Sequence, residues 1–218
     1  MIRREIKIPI HNHYRGYFNN WILKNKAIKK HYKKRIISSI YYDDNNLTNA
    51  KDNIQGIANR KKVRFRWYEN NFDDVALEIK KRKNNIIFKD SYKLKKKYNF
   101  ENKNYNFFYK KNNINFLNFE LNKYFYFNYK PIIKISYLRH YFIYKNTVRI
   151  TYDENICYDT INNNLSNKIF DSNNIIEFKF DPEFQFLALE LIKKSKFYPK
   201  RNSKYLKGLY LNKIIDFY

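Results

Sequence analysis

The feature that most constrains this chain is a repeated alternation between ionic and apolar residues. In the stretch "RKKVRFRWY", residues 60–68, Arg64 and Arg66 alternate with Val63, Phe65 and Trp67. Side chains of a β-strand point alternately to its two faces, so this stretch predicts a strand with one cationic and one apolar face. The same split recurs in other predicted strands. The residues on their ionic faces are Glu5, Lys7, Glu78, Lys80, Arg82, Tyr137, Arg139, Arg149, Thr151, Glu177 and Lys179.

Two arrangements satisfy this alternation. An ordinary antiparallel sheet would expose its ionic face to water and bury the apolar one. A closed barrel would turn the ionic face inward and pack helices on the apolar outside. Because unpaired cations in a dry interior are prohibitively costly, such a barrel must be wet and must hold an anion. The repeated Arg and Lys with occasional Glu, and the large aromatic apolar face, count against the ordinary sheet.

Local patterns predict several strands and a few helices. Apolar residues at helical spacing predict a helix over 14–28, and Asp181 before Pro182 predicts the start of another. The Asn- and Asp-rich residues 45–56 predict a turn or loop, and the low-complexity stretch 95–128 fits helix with loops. The predicted strands are 2–10, 35–44, 62–68, 75–83, 85–94, 132–144, 147–158 and 174–180. Neither a repeat nor a linker divides the chain, so a single domain over 1–218 is predicted.

The charge of the chain points to anionic partners. Its net charge is +25, from 45 Lys and Arg against 20 Asp and Glu. Such an excess attracts polyanions, so nucleic acid, an anionic membrane or a polyphosphate-bearing substrate are the natural partners. The chain has three glycines and no GxxxxGK[ST] motif. A backbone phosphate cradle is therefore excluded, and Arg and Lys side chains must bind any phosphate.

Cysteine usage and hydropathy indicate the compartment. Cys157 is the only cysteine, which excludes an intrachain disulfide and favours a reducing environment. The start "MIRREIKIPI" lacks the apolar core of a secretory signal, and no apolar run approaches the ~18 residues needed to span a bilayer. We expect a cytoplasmic protein that would reach a membrane through a membrane-protein partner. The sequence does not indicate an oligomeric state.

Short segments in a fixed order resemble the VTC (vacuolar transporter chaperone) domain of the CYTH-like, triphosphate tunnel metalloenzyme superfamily. The resemblance runs from about residue 3 to residue 207, and residues 95–128 do not align with it. It implies an α+β fold in which an antiparallel eight-stranded tunnel β-barrel has helices packed outside. The segments that carry it are "EIK", "SIYYDD", "KVRFRWY", "LEIKKRK", "FK", "ISYLRHYF", "VRITYD", "IIEFKF" and "SKY".

The resemblance also implies residue roles. Basic side chains inside the tunnel would bind a chain of phosphates, and acidic ones would bind Mn²⁺ or Mg²⁺. The implied catalytic residues are Lys7, Arg64, Arg66, Lys80, Arg139, Arg149 and Glu177. The implied substrate-binding residues are Lys89, Tyr137, Ser203 and Lys204. The implied metal ligands are Glu177, Glu5 and Glu78.

Three functions remain open at this point. The leading one is ATP-dependent polyphosphate synthesis, since eukaryotic relatives polymerise polyphosphate from ATP. Hydrolysis of inorganic or nucleoside triphosphates on the same fold is the second. A non-enzymatic, basic nucleic-acid-binding protein is the third and the least favoured. ATP or another triphosphate and polyphosphate are the expected partners.

Other polar residues have simpler interpretations. Asp43 and Asp44 follow a predicted strand, where Asp favours turns, so we expect structural roles for both. His140 falls on the face opposite Arg139, which favours packing over catalysis. For Glu177, a salt bridge to Lys179 is the alternative to metal binding.

Overall fold

The computed structural model describes residues 4–69, 71–83, 86–93, 129–161 and 168–216. The described strands are β1 (Arg4–His11), β2 (Ile28–Asp43), β3 (Arg60–Tyr68), β4 (Asn71–Lys83), β5 (Ile86–Lys93), β6 (Lys130–Tyr144), β7 (Val148–Thr160), β8 (Lys168–Phe170) and β9 (Asn173–Phe180). The described helices are α1 (Arg15–Lys24), α2 (Thr48–Gln55), α3 (Gln185–Ser195) and α4 (Lys204–Leu211). The predicted helix-and-loop stretch 95–128 lies outside the described residues.

None of the described helices combines the length and the apolar character that crossing a bilayer requires.

The chain forms two compact units. The first comprises Met1–Ile36, Tyr137–Cys157 and Phe170–Ser203. The second comprises Ile37–Ser136, Tyr158–Ile169 and Lys204–Tyr218. Strands β2, β6 and β7 each contribute residues to both units. That the chain is a single domain stays a prediction.

In the first unit, β9 pairs antiparallel with β1 on one side and with β7 on the other, and β6 is the next strand along. The apolar face of these strands carries Ile8, Ile150 and Phe178, which are all fully buried. They belong to one core with Phe18 of α1 and Leu191 of α3. The two helices therefore cover the apolar face of this sheet, as the alternation predicted.

In the second unit, the strands follow the antiparallel order β2-β3-β4-β5. Val63, Phe65 and Trp67 of β3 are buried with Leu77 and Ile79 of β4 in a second core. Arg64 and Arg66 lie on the other face of β3. The predicted division of this strand into two chemically distinct faces is confirmed.

The predicted loop over 45–56 is wrong, because it contains helix α2. The polar composition of these residues indicates a loop, but Asp43 caps the helix from outside this range. Both carboxylate oxygens of Asp43 accept hydrogen bonds from α2, one from the amide of Asn49 and one from the amide of Ala50, at 3.0 Å each. Gly56 ends the helix with φ 74°, a left-handed conformation that glycine adopts without strain. The structural role expected of Asp43 is therefore confirmed.

The boundaries between α1 and β2 also differ from the sequence prediction. The helix predicted over 14–28 ends at Lys24, and β2 begins at Ile28 instead of residue 35. Four of the seven added strand residues are Lys, and five of the seven are exposed. They show no apolar alternation, so the sequence pattern carried no strand signal there.

Helix α4 approaches its neighbours so closely that one position in it must be glycine. A Cβ atom on Gly208 would lie 2.6 Å from Cδ1 of Tyr158 and 2.8 Å from Cδ1 of Ile133. Tyr205, on the same helix, stacks on Tyr41 of β2 with ring centroids 5.0 Å apart. Its hydroxyl donates to Asp43 Oδ2 at 2.7 Å. These contacts fix the first turn of α4 against β2.

Candidate phosphate-binding clusters

In the second unit, three predicted site cations contact one carboxylate, and a fourth, Lys80, lies two residues from it on the same strand. We call Arg64, Arg66, Glu78, Lys80 and Lys89 the single-carboxylate cluster. Glu78 Oε2 accepts from Arg64 at 2.9 Å and 2.7 Å and lies 3.4 Å from Arg66 Nη1. The other oxygen, Oε1, accepts from Lys89 Nζ at 2.6 Å. One buried carboxylate therefore holds three cations in place.

Register places like charges directly opposite one another in this cluster. Lys80 of β4 lies opposite Lys62 of β3 on one side and Lys89 of β5 on the other. Like charges directly opposite across strands are destabilising, so this row favours a bound anion that would neutralise it. Lys62 is not among the predicted site residues. It lies two residues before Arg64, so the alternation alone could have identified it.

Burial distinguishes this ionic face from an ordinary solvated one. Arg66 is 8% exposed and Glu78 is 5% exposed. Burial by itself raises the pKa of Glu78, but Arg64, Arg66 and Lys89 outweigh it and lower the pKa from 4.5 to about 2. Glu78 is thus ionised at neutral pH and already neutralised by its cations. These contacts favour an organising role for Glu78 over the predicted metal ligation, which stays a prediction.

Tyr41 is a second residue that organises this cluster. Arg64 Nη1 donates to the Tyr41 hydroxyl at 2.6 Å, and the two residues lie opposite each other in the β2–β3 register. Arg66 Nε donates to Ser39 Oγ at 3.4 Å. Tyr41 and Ser39 follow the same alternation on β2, but uncharged side chains do not mark an ionic face in the sequence.

In the first unit, the predicted site residues mix cations with several carboxylates. We call Glu5, Lys7, Arg139, Asp153, Glu177 and Lys179 the carboxylate-rich cluster. Arg139 donates from Nε and Nη2 to the two oxygens of Asp153, at 2.5 Å and 2.7 Å, which is a bidentate pair. Asp153 is fully buried and Arg139 is 9% exposed. Asp153 was not predicted as a site residue, although it is in alternation with Arg149 on β7.

Glu177 lies between cations of three strands. Its Oε2 is 3.6 Å from Arg139 Nη2 and 3.4 Å from Lys179 Nζ, and Lys7 lies opposite it in register. Burial by itself raises the pKa of Glu177. The charges of Lys179, Lys7 and Arg139 and a hydrogen bond with Glu5 outweigh burial and lower that pKa well below its usual value. Glu177 thus forms the salt bridge to Lys179 that was the alternative to metal binding. It also interacts with Glu5.

A buried hydroxyl beside Glu177 lacks a partner. Thr151 lies opposite Glu177 in the β7–β9 register, and its Oγ1 makes no hydrogen bond within the described part of the chain. No group of three His, Cys, Asp or Glu side chains among the described residues is arranged to hold a metal ion. Metal ligation by Glu5 and Glu177 therefore stays a prediction that needs further oxygen donors.

The remaining predicted residues have the following positions. Arg149 is half-buried on β7 opposite Lys179, and Tyr137 is buried with its ring 5.2 Å below the Arg139 guanidinium carbon. Ser203 and Lys204 stand at the start of α4, directly before the stacked Tyr205. The structure thus places Arg149 and Tyr137 beside members of the carboxylate-rich cluster, and Ser203 and Lys204 at a helix start.

His140 lies on the face opposite Arg139, as expected. Its Nε2 is 2.8 Å from Glu154 Oε1, and Glu154 also binds Arg15 of α1. The packing role expected of His140 agrees with this pairing, which joins β6 and β7 to the covering helix.

Comparison with known proteins identifies relatives of the whole domain. A family model described as VTC domain matches residues 2–212. A search of curated proteins found no match.

Solved structures share the fold at low sequence identity. A proposed adenylate cyclase from Vibrio parahaemolyticus is 14% identical, with a TM-score of 0.56 over 96% of this chain and 98% of that one. A protein from Pyrococcus horikoshii is 16% identical, with a TM-score of 0.53 over 96% and 99%. A proposed adenylate cyclase from Bacillus halodurans is 12% identical, with a TM-score of 0.55 over 93% and 97%. The predicted fold class, an antiparallel sheet with helices outside, is confirmed.

Proposed function

This chain belongs to the VTC domain family, and we propose that its two clusters bind the phosphates of ATP, another triphosphate or polyphosphate. We further propose that it transfers the terminal phosphoryl group, with ATP-dependent polyphosphate synthesis as the activity. Hydrolysis of the same triphosphates is the second candidate. It uses the same binding residues and differs only in the acceptor, which is water.

The observation that carries this proposal is the lysine row Lys62, Lys80 and Lys89. These three lysines share one face in register, and although Glu78 pairs with Lys89, the like charges of the row favour an anion bound among them. A phosphate chain supplies closely spaced negative oxygens, which Lys binds as a mobile charge and Arg binds with a planar fork. Glu78 neutralises only part of the positive charge, so the cluster keeps a net positive charge for substrate.

The side chains would act mainly by positioning and charge neutralisation. Phosphoryl transfer needs in-line placement of the attacking and leaving oxygens and stabilisation of charge on the equatorial oxygens, more than it needs a protein nucleophile. Arg64 and Arg66 are already held by Glu78, Tyr41 and Ser39. Their guanidinium groups therefore lose little conformational freedom when they bind phosphate oxygens.

The acidic pair Glu5 and Glu177 has the chemistry of a hard-metal site. Mg²⁺ and Mn²⁺ prefer oxygen ligands and are commonly held by one or two carboxylates together with substrate phosphates. The diagonal placement of Glu5 and Glu177 on paired strands and the orphan hydroxyl of Thr151 opposite Glu177 fit such a site. A bound metal would supply charge neutralisation on phosphate oxygens.

The decisive experiment incubates the protein with ATP and Mn²⁺ and separates the products by size. Long phosphate chains support synthesis, and free phosphate alone supports hydrolysis. Arg66→Ala should lower the affinity for tripolyphosphate by roughly 10- to 150-fold, the range for losing a hydrogen bond to a charged group. Lys81→Ala is the matched control, because Lys81 pairs with Asp90 on the opposite face.

Two results would remove the proposal. One is unchanged tripolyphosphate affinity in both Arg64→Ala and Arg139→Ala, with folding confirmed by circular dichroism. The other is binding of nucleic acid, with a steep salt dependence, that short polyphosphate does not compete and that Arg66→Ala weakens.

A further inference from the structure

A third group of basic residues, none of which belongs to either cluster, occurs at the end of α1 and the beginning of β2. Seven cations and no acidic residue occur between Lys24 and Arg35. We call them the basic edge. They are Lys24, Lys26, Lys29, Lys30, Lys33, Lys34 and Arg35, and all seven are exposed.

The lysines of the basic edge differ from Lys89 and Lys179 of the clusters in forming no ion pair with a described carboxylate. None of the six forms an ion pair with any residue in the ranges that the structure describes. By contrast, Lys89 and Lys179 each lie within 4 Å of a buried glutamate, at 2.6 Å and 3.4 Å. Six uncompensated ammonium groups on one short segment create a local positive potential that attracts polyanions.

An exposed aromatic ring stands in the middle of these cations. Tyr32 is 58% exposed, between Lys29 and Lys30 on one side and Lys33 and Lys34 on the other. Its ring lies 3.9 Å from the ring of His31 and meets Tyr141 edge-on at 5.8 Å. The Tyr32 ring thus packs against His31 and Tyr141, while more than half of the residue remains accessible to solvent.

Tyr141, which contacts Tyr32, also contacts a cation of the basic edge. The guanidinium carbon of Arg35 lies 5.5 Å from the centroid of the Tyr141 ring, a cation–π distance. Tyr141 therefore joins Tyr32 and Arg35 into one contiguous patch of aromatic and cationic groups.

We propose that the basic edge binds single-stranded nucleic acid, with lysines on the phosphates and Tyr32 stacked on a base. Non-sequence-specific binding of single strands combines a cationic track along the backbone with aromatic side chains on which bases stack. The exposed lysines point to both faces of the strand, since Lys29 and Lys33 alternate with Lys30 and Lys34. A flexible single strand can follow both faces, whereas a duplex cannot.

An anionic membrane is the competing partner and fits less well. Interfacial membrane binding needs an apolar face of Trp, Phe or Leu beside the cations. From Lys24 to Arg35 the exposed residue with a large apolar surface is Tyr32, and its hydroxyl-bearing ring is flanked by charges. Leu23 and Ile36 border this range and are 77% and 44% exposed, so the vesicle measurement below tests the membrane alternative directly. This inference concerns residues outside both clusters and does not depend on the proposed phosphoryl transfer.

The test measures fluorescence anisotropy of a 3′-labelled oligouridylate with a 5′-hydroxyl end, so that no triphosphate is present for the clusters. A variant with Lys29, Lys30, Lys33 and Lys34 all replaced by Glu should lose affinity by more than about tenfold. Its slope of log affinity against log salt should fall by about 3, since each phosphate contact on a single strand contributes about 0.7. The control removes the same charge elsewhere by replacing four exposed lysines at and after the end of α3, Lys193, Lys194, Lys196 and Lys200, by Glu.

Tyr32 variants separate stacking from charge. Tyr32→Ala should weaken binding by about 5- to 150-fold, the range for losing one base–aromatic stack, and should leave the salt slope unchanged. Tyr32→Phe keeps the ring and should bind like the unmodified chain.

Three results would overturn the proposal, provided that circular dichroism shows every variant folded. The first is equal weakening by the basic-edge and control variants, because net charge alone would then explain binding. The second is full affinity in Tyr32→Ala. The third is binding to phosphatidylserine vesicles without binding to RNA, lost in the basic-edge variant, which would assign the surface to a membrane.

Discussion

The two clusters use the same kinds of cations but balance them differently. Among the described residues that define it, the single-carboxylate cluster has four cations and one carboxylate, Glu78, whereas the carboxylate-rich cluster has three cations and the carboxylates of Glu5, Asp153 and Glu177. The first therefore keeps a net positive charge, and the second is nearly neutral. This difference indicates that the former is suited to attract an anion, and that the latter can accept a cation as well.

The largest effect on stability is expected for Asp153→Asn, which tests whether the buried Arg139–Asp153 pair holds the carboxylate-rich cluster together. Arg139 would remain buried with its bidentate partner lost, and breaking a buried ion pair on one side costs about 3–5 kcal/mol of the free energy of unfolding. Urea unfolding should show this loss, and the Asp153→Asn/Arg139→Met double variant should recover part of it. If Asp153→Asn unfolded at the same urea concentration as the original chain, the pair would not be the structural centre of its cluster.

The pH dependence of stability should distinguish Glu78. Its pKa of about 2 in the folded protein lies below its usual value of 4.5. The stabilisation is therefore fully present above about pH 4.5 and is lost as the pH falls towards 2; a shift of this size corresponds to on the order of 3 kcal/mol. Glu78→Gln should flatten the stability profile in this window. An identical profile in Glu78→Gln would show that other carboxylates account for the acid sensitivity.

Lys80→Ala should change stability and ligand affinity in opposite directions. Removing the middle cation of the lysine row relieves repulsion, so the free energy of unfolding should rise by about 0.2–1 kcal/mol without ligand. The affinity for tripolyphosphate should fall by roughly 10- to 150-fold. Calorimetric titration and thermal unfolding check the two effects, and Lys81→Ala should change neither by as much. A fall in both stability and affinity would instead indicate that Lys80 is a structural residue.

The smallest expected effect concerns the metal. With tripolyphosphate present, Mn²⁺ should raise the melting temperature of the original chain by a few degrees, the size expected from about 1 kcal/mol. Glu177→Gln and Glu5→Gln should abolish that increase, and the exposed Glu190→Gln should keep it. Equal Mn²⁺ stabilisation in all four proteins would exclude the acidic pair as the metal site.

Much of the fold could be predicted because β-strand periodicity is local. The ionic and apolar faces of β1, β3, β4, β6, β7 and β9 follow directly from alternation, and the hairpin turn at Lys145 and Asn146 has the positive φ values that a tight connection requires. Helix α2 and the first part of β2 could not be predicted. The helix depends on the buried Asp43 and the strand extension has no apolar pattern, so neither carries a local signal.

For the candidate site, the sequence by itself determined which residues share a face, because a period of two leaves no choice once a strand forms. It thereby placed Arg64, Arg66, Arg139 and Glu177 on ionic strand faces, and the family resemblance then implied their site roles. Only the tertiary structure decided which carboxylate neutralises which cation, because that depends on strand register and burial. The pairing of Asp153 with Arg139, the position of Glu78 among its cations and the lysine row through Lys62 all depend on the register between paired strands, which alternation within a single strand does not fix.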